Sequence, residues 1–310
     1  MSTYSLAIHG GAGTILRTQM TPEKEAAYKA GLARAVAAGE DVLRQDGTAM
    51  DAVTAAVCAL EDEPLFNAGR GAVFTTEGAQ EMDACVMDGR DRSAGAVAGI
   101  FGPRNPVRVA RAVMERTPHV LLIGPMALQI ARDAGLPFEE RDYFFTQARW
   151  DALQETMEMR RKGQESDDPA RRHGTVGAVA RDRAGNLAAA TSTGGMTAKL
   201  PGRVGDTPLP GAGTFAENAT CAVSGTGHGE VFIRYTAGSE IAARMRFLGQ
   251  SLDEAAQHVV MKDLHDHDGS GGVIAIAHDG SISMPFNCEG MYRGSVREGE
   301  APQVAIYRDA

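Results

Sequence analysis

The sequence predicts an α+β fold in which antiparallel sheet is packed with helices. Strand-patterned runs open and close both halves of the chain, helical patterns are grouped between them, and no strict strand–helix alternation runs through it. Short β-prone runs come in clusters separated by Gly and Asp turns. Glycine, 37 of 310 residues, exceeds the usual ~7% and is dispersed without period, which asks for many tight turns and close backbone approaches. No internal repeat is present, and 310 residues can bury one large core or two modest ones.

Each element has its own signal. Residues 4–8 (YSLAI) form a strand that runs into HGGAG, 9–13. Thr21 caps a helix with Pro22 in its first turn. Tyr28, Leu32, Ala35, Val36, Val42 and Leu43 recur along it at helical spacing, and Gly47 stops it. Thr48 and Asp51, three apart, open a second helix through Val53, Ala56, Val57 and Leu60, which ends at Pro64. Runs at 72–75, 82–87 and 95–100 read as an antiparallel meander.

A helix at about 105–116, a strand at 119–124 and helices at about 125–135 and 146–160 follow. The charged stretch that comes next has no apolar periodicity, so about 156–174 is expected to be flexible. TVGAVARD (175–182) and NLAAATST (186–193) then flank the turn RAGN as one hairpin. Helices at about 229–247 and 251–264 come next, the second opened by a Ser251–Glu254 capping box. A closing hairpin lies in GGVIAIAHDGSISMPFN (271–287), turned at Asp279-Gly280.

A net charge of −9 argues against a protein that coats nucleic acid or anionic membrane; the expected partner is a small molecule. The N-terminus lacks a basic region followed by an apolar one, and no apolar run approaches the ~20 residues of a membrane helix. Cys58, Cys85, Cys221 and Cys288 are far apart without CxxC spacing, so a cytoplasmic chain without disulfides is expected, with Cys58 and Cys85 as buried thiols. The eight histidines are scattered, no His/Cys/Asp cluster suggests zinc, and HDHD (265–268) reads as a solvated turn.

The junction RRHGTVGAVA (171–180) concentrates the chemistry. If Arg181 and Leu187 close the hairpin loop, Thr175 faces Thr193; if Ala184-Gly185 form a two-residue turn, it faces Gly194. Either register leaves Thr175 beside TSTGG, since cross-strand neighbours lie ~4.5–5.5 Å apart at Cβ. A plain Thr–Thr sheet pair is common and contributes under ~1 kcal/mol. A threonine hydroxyl becomes a nucleophile only with an adjacent base, and one solution is the residue's own α-amine. That requires cleavage of the Gly174–Thr175 bond, where the glycine leaves the carbonyl unobstructed. His173, just before that bond, is not read as its acid or base.

GTVGAVA, TSTGG, GRVGDTPLPGAG and GTGHGE, with the upstream HGGAG, PLFNAGRGAVF and MDACVMDG, resemble the plant-type (type III) L-asparaginase and isoaspartyl-peptidase family of N-terminal-nucleophile (Ntn) hydrolases. The match runs in order from about residue 4 to about 294. The resemblance implies a single domain, 1–310, built as an αββα sandwich of two antiparallel sheets between helical layers, and a homodimer of cleaved units, (αβ)2. It implies a precursor that cuts itself between Gly174 and Thr175 into an α subunit, 1–174, and a β subunit, 175–310. Thr175 is then the nucleophile of both cleavage and hydrolysis, Thr193 tunes its hydroxyl, and Asn67 assists self-cleavage or positions water.

In the same resemblance, Arg203 offers a planar fork to a substrate α-carboxylate and Asp206 an acceptor to its α-ammonium. The Thr226 hydroxyl and Gly227 amide form the oxyanion hole. Main-chain carbonyls of Leu60, Glu61, Glu63, Phe66, Ala68 and Arg70 would wrap a sodium ion, with no organic cofactor. The implied activity is hydrolysis of L-asparagine to L-aspartate and ammonia, and of β-aspartyl dipeptides. A glycosylasparaginase-like hydrolase is the neighbouring alternative. A different class, a glycine-rich nucleotide-binding module at HGGAG, has against it the absence of GxxxxGK[ST] and of a full GxGxxG. A non-catalytic scaffold would not need Thr175, Thr193, Arg203, Asp206 and Thr226 together.

Overall fold

The computed structural model describes residues 3–164 and 174–308. Twelve strands among them form two sheets. Eight make the larger sheet, in the order β12 (Gln303–Tyr307), β11 (Gly290–Arg297), β1 (Ser5–Gly13), β5 (Val176–Arg181), β6 (Leu187–Thr193), β2 (Met82–Asp88), β3 (Ala94–Ile100), β4 (Leu121–Ile123). The smaller has the order β10 (Ile282–Ser283), β9 (Gly271–Ala277), β8 (Cys221–Gly227), β7 (Thr214–Ala216). Pairing is antiparallel throughout except for β3 with β4, which departs from the all-antiparallel expectation.

Period-two burial explains the layers. Leu6, Ile8, Val176, Ala178 and Ala190 face a core shared with α1 (Pro22–Arg44), α2 (Ala49–Glu61) and α3 (Pro106–Arg116). Their neighbours Ala7, Val179 and Ala189 face a second core with the smaller sheet, α7 (Gly229–Tyr235), α8 (Ala237–Leu248) and α9 (Leu252–His258). Both faces of the large sheet are thus covered, which is why its central strands read as continuous apolar runs. The four layers are helix, sheet, sheet, helix, as expected.

The helix starts obey their caps. The side chains of Thr21, Thr48 and Ser251 accept from Lys24 N, Asp51 N and Glu254 N, and the Ser251–Glu254 capping box closes in both directions. Helices at Gly124–Asp133 (α4) and Gln147–Arg161 (α6) match their expected spans, with a short turn of helix, α5 (Arg141–Phe144), between them.

Several expectations need correction. β1 continues through HGGAG to Gly13 and buries it, so that motif is sheet and not a phosphate-binding loop. Residues 72–75 make one bridge, Thr75 to Lys199, and no strand, because Thr75 N bonds back to Ala79 O. The helix foreseen at 229–247 breaks at Thr236, which has φ +44°. The segment expected to be flexible from about 156 is helical to Arg161; residues 165–173, His173 included, lie outside the described residues. β11 and β12 are strands beyond those that the sequence signals predict.

All four cysteines are buried free thiols, and His265–His267 is exposed as read. Among the described residues no helix is long and apolar enough to cross a membrane, and no group of three or more His, Cys, Asp or Glu could hold a metal.

Candidate active site

The β5–β6 hairpin selects the first of the two registers: Arg181 pairs with Leu187 and Val176 with Ser192. One step further, the Thr175 hydroxyl donates to Thr193 Oγ1 at 3.2 Å. Thr193 in turn donates to the Gly174 carbonyl at 3.0 Å and accepts from Gly195 N at 2.9 Å. A hydroxyl has one proton and two lone pairs, so these three bonds fix its orientation.

Asn67 is held as tightly. Its Nδ2 donates to Gly174 O and to Gly195 O, both at 2.7 Å, and its Oδ1 accepts from Val73 N at 3.0 Å. The carbonyl of the Gly174–Thr175 bond therefore receives two donors, Asn67 Nδ2 and Thr193 Oγ1, and Asn67, Thr175 and Thr193 are all buried. Two donors aimed at one carbonyl oxygen are what a developing oxyanion requires.

The remaining site residues come from the smaller sheet and the segment before it. Asp206 is buried, and its Oδ2 has no partner. Burial pushes its carboxyl up to about 7, against the opposing pull of nearby Arg203. Gly229 separates the two charged groups: a methyl there would lie 2.8 Å from Asp206 Oδ1 and 3.0 Å from Arg203 Nη2. Thr226 is fully buried in β8 and accepts from Ala12 N at 3.2 Å, while Gly227 pairs with Gly271 at the strand's end.

Arg203 differs from the open fork expected of it. Its Nε and Nη2 bond both oxygens of Glu230, each at 2.9 Å. One edge of the guanidinium is taken, which fixes its plane and leaves Nη1 and the outer side of Nη2 for a ligand. Glu230 closes the GTGHGE motif, so the signal was in the sequence without a partner to give it meaning.

Beneath Thr193 lies a second group that the motifs did not assign. Asp83 pairs with Thr193 across β2 and β6 and is buried with its Oδ2 unpartnered. Lys199 is buried nearby, donating to Glu81 O at 2.8 Å. Burial holds the ammonium below its usual value, partly offset by Asp83.

Fold and site together define a class: a two-sheet α+β hydrolase scaffold with a threonine, and two hydrogen-bond donors on the carbonyl before it, at the mouth of a central hairpin. The chain belongs to the asparaginase family, whose pattern matches residues 2–306. It is 51% identical to an isoaspartyl peptidase of Salmonella typhimurium over the whole of both chains. It is also 51% identical to an isoaspartyl peptidase of Escherichia coli, covering 100% of this chain and 98% of the relative. An isoaspartyl peptidase/L-asparaginase of Rattus norvegicus is 39% identical over 95% of this chain and 86% of its own.

Proposed function

We propose that this chain is a self-activating threonine amidohydrolase that converts L-asparagine to L-aspartate and ammonia and cleaves β-aspartyl dipeptides. The observation that carries the reading is the doubly bonded Gly174 carbonyl beside the Thr175 hydroxyl. The names of the relatives, isoaspartyl peptidase and isoaspartyl peptidase/L-asparaginase, support the substrate class.

In the precursor, Thr175 Oγ attacks the Gly174 carbonyl carbon, and Asn67 and Thr193 stabilise the oxyanion. The C–N bond breaks, the hydroxyl proton passes to the departing Thr175 nitrogen, and an ester remains. Water hydrolyses it, leaving a carboxylate on Gly174 and a free amine on Thr175. The products are the subunits 1–174 and 175–310.

In the mature enzyme the freed amine removes the Thr175 hydroxyl proton. The alkoxide attacks the side-chain amide carbon of the substrate, with Thr226 Oγ1 and Gly227 N as oxyanion donors. The amine returns its proton to the leaving ammonia or amino acid, and water then releases aspartate from the Thr175 ester. The substrate's α-carboxylate takes the free edge of Arg203, and its α-ammonium takes Asp206. The unpartnered Asp206 Oδ2 and the space left by Gly229 support that head clamp.

The curl around residues 60–71 suits an alkali cation. The carbonyls of Glu63, Phe66 and Ala68 each accept one turn amide, which leaves each a second lone pair. Arg149 bonds Leu65 O and Gly71 O and none of the six proposed donors. A sodium ion held by the carbonyls of Leu60, Glu61, Glu63, Phe66, Ala68 and Arg70 would supply structural charge that steadies the loop bearing Asn67. A cytoplasmic (αβ)2 homodimer completes the proposal.

The test is a Thr175→Ala variant assayed with L-asparagine and β-aspartyl-leucine. Loss of both activities is expected; retention of either overturns the nucleophile assignment.

A further inference from the structure

The HGGAG motif is absorbed by none of the roles above, yet its histidine lies at the centre of the molecule. His9 is fully buried in β1, and its Nδ1 is 2.9 Å from the Thr175 carbonyl oxygen. Its Nε2 is 2.9 Å from Ser224 Oγ on β8, across the interface between the two sheets. Ser224 Oγ is 2.8 Å from Thr191 Oγ1, which is 2.7 Å from Thr214 Oγ1.

The proton directions follow from chemistry. A carbonyl only accepts, so Nδ1 carries a proton. In a neutral ring Nε2 must then accept, so Ser224 donates to it, Thr191 donates to Ser224, and Thr214 donates to Thr191. Every hydroxyl spends its one proton, and none is left over. Burial pulls the imidazole down to about 3, which keeps the ring neutral at physiological pH. Gly177 makes the passage: a methyl there would sit 2.0 Å from Ser224 Oγ and 2.5 Å from His9 Nε2.

The chain's purpose follows from what cleavage does to Thr175. The β5 ladder begins at Val176, one residue after it. Once the Gly174–Thr175 bond is cut, Thr175 is a chain terminus, and termini fray unless tied down. We propose that His9 is a positioning residue for Thr175: Nδ1–H anchors the Thr175 carbonyl, and the Ser224–Thr191–Thr214 hydroxyls fix that tautomer. The anchor extends the ladder by one residue and ties it through Ser224, Thr191 and Thr214 to β8, β6 and β7. This rests on Thr175 being the nucleophile.

Two substitutions separate positioning from packing. His9→Asn places an N–H where Nδ1 stands and gives up the Ser224 bond; one neutral hydrogen bond is lost, so kcat falls by no more than about tenfold. His9→Gln reaches toward Ser224 but leaves the Thr175 carbonyl unheld, and a misplaced nucleophile costs on the order of 100-fold in kcat. KM for L-asparagine stays within about twofold in both, because neither variant touches the head clamp.

Equal losses in the two variants, or a rise in KM with kcat unchanged, overturn the proposal. Nitrogen-15 NMR of histidine-labelled protein at pH 7 supplies a readout independent of activity and of the variants' folding. The wild-type chain and Thr175→Ala should both show His9 protonated on Nδ1 alone. Protonation on Nε2 overturns the proposal whatever the kinetics. Activity surviving in Thr175→Ala would instead count against the nucleophile.

Discussion

The Asn67 side-chain amide donates to the Gly174 carbonyl oxygen at 2.7 Å, on the bond proposed to break. Its other two bonds, to Gly195 O and Val73 N, hold the amide in one orientation before any reaction begins. Preorganised donors of this kind contribute to the rate because they need no rearrangement as charge develops. Asn67→Ala should therefore slow self-cleavage by about 10²–10³-fold, as removal of one oxyanion donor does elsewhere. The appearance of the 175–310 fragment on a denaturing gel over time checks it, and an unchanged rate would remove Asn67 from the cleavage step.

Arg203 and Glu230 share two parallel hydrogen bonds, so the guanidinium plane is set before substrate arrives. Lysine keeps the charge and loses the fork. Arg203→Lys should raise KM for L-asparagine about 10–100-fold, the equivalent of one lost charge-assisted contact, with a smaller change in kcat. Steady-state kinetics on the matured variant decide it.

Asp206 gives a pH dependence with a definite sign. Burial raises its carboxyl to about 7 in the substrate-free enzyme, and only the carboxylate accepts an α-ammonium. Protonation as pH falls through 7 removes the acceptor, so kcat/KM for L-asparagine should decline below about pH 7, with protonation of the freed Thr175 amine adding to the decline. A profile flat from pH 5 to 8 would place the ammonium elsewhere. The same buried carboxylate is costly to the fold once ionised. Asp206→Asn should therefore raise Tm at pH 8 while abolishing turnover.

Gly177 tests the passage between the sheets. An added methyl overlaps Ser224 Oγ and His9 Nε2, and overpacking in a well-packed core costs about 1–3 kcal/mol. Gly177→Ala should lower Tm, as measured by calorimetry, and Ser224→Ala in the same chain should recover part of the loss by removing one of the two clashing atoms.

Much of this architecture was legible because its signals are local. The caps at Thr21, Thr48 and Ser251 are satisfied within three residues, and the β5–β6 hairpin is set by its own turn, which placed Thr175 against Thr193. What escaped is long-range. Thr75 looks like strand but has only Lys199 as a bridge partner, and β11 gains its place by pairing with β1 at the far end of the chain. The break at Thr236 has no glycine to announce it. In the site, Asn67 reaches Gly174 over 107 positions and His9 reaches Ser224 over 215, so neither role could be read from spacing. Glu230 stood inside a recognised motif, and only its contact with Arg203 shows what it does.

The central claim is that the Gly174–Thr175 bond cuts itself to free a threonine amine. Mass spectrometry with N-terminal sequencing of purified chain, sampled as it ages, tests it directly. The account predicts two fragments, 1–174 and 175–310, the second beginning Thr-Val-Gly-Ala, together with a Thr175→Ala chain that stays whole. An intact wild-type chain that nonetheless hydrolyses L-asparagine, or a cut at any other bond, would contradict it.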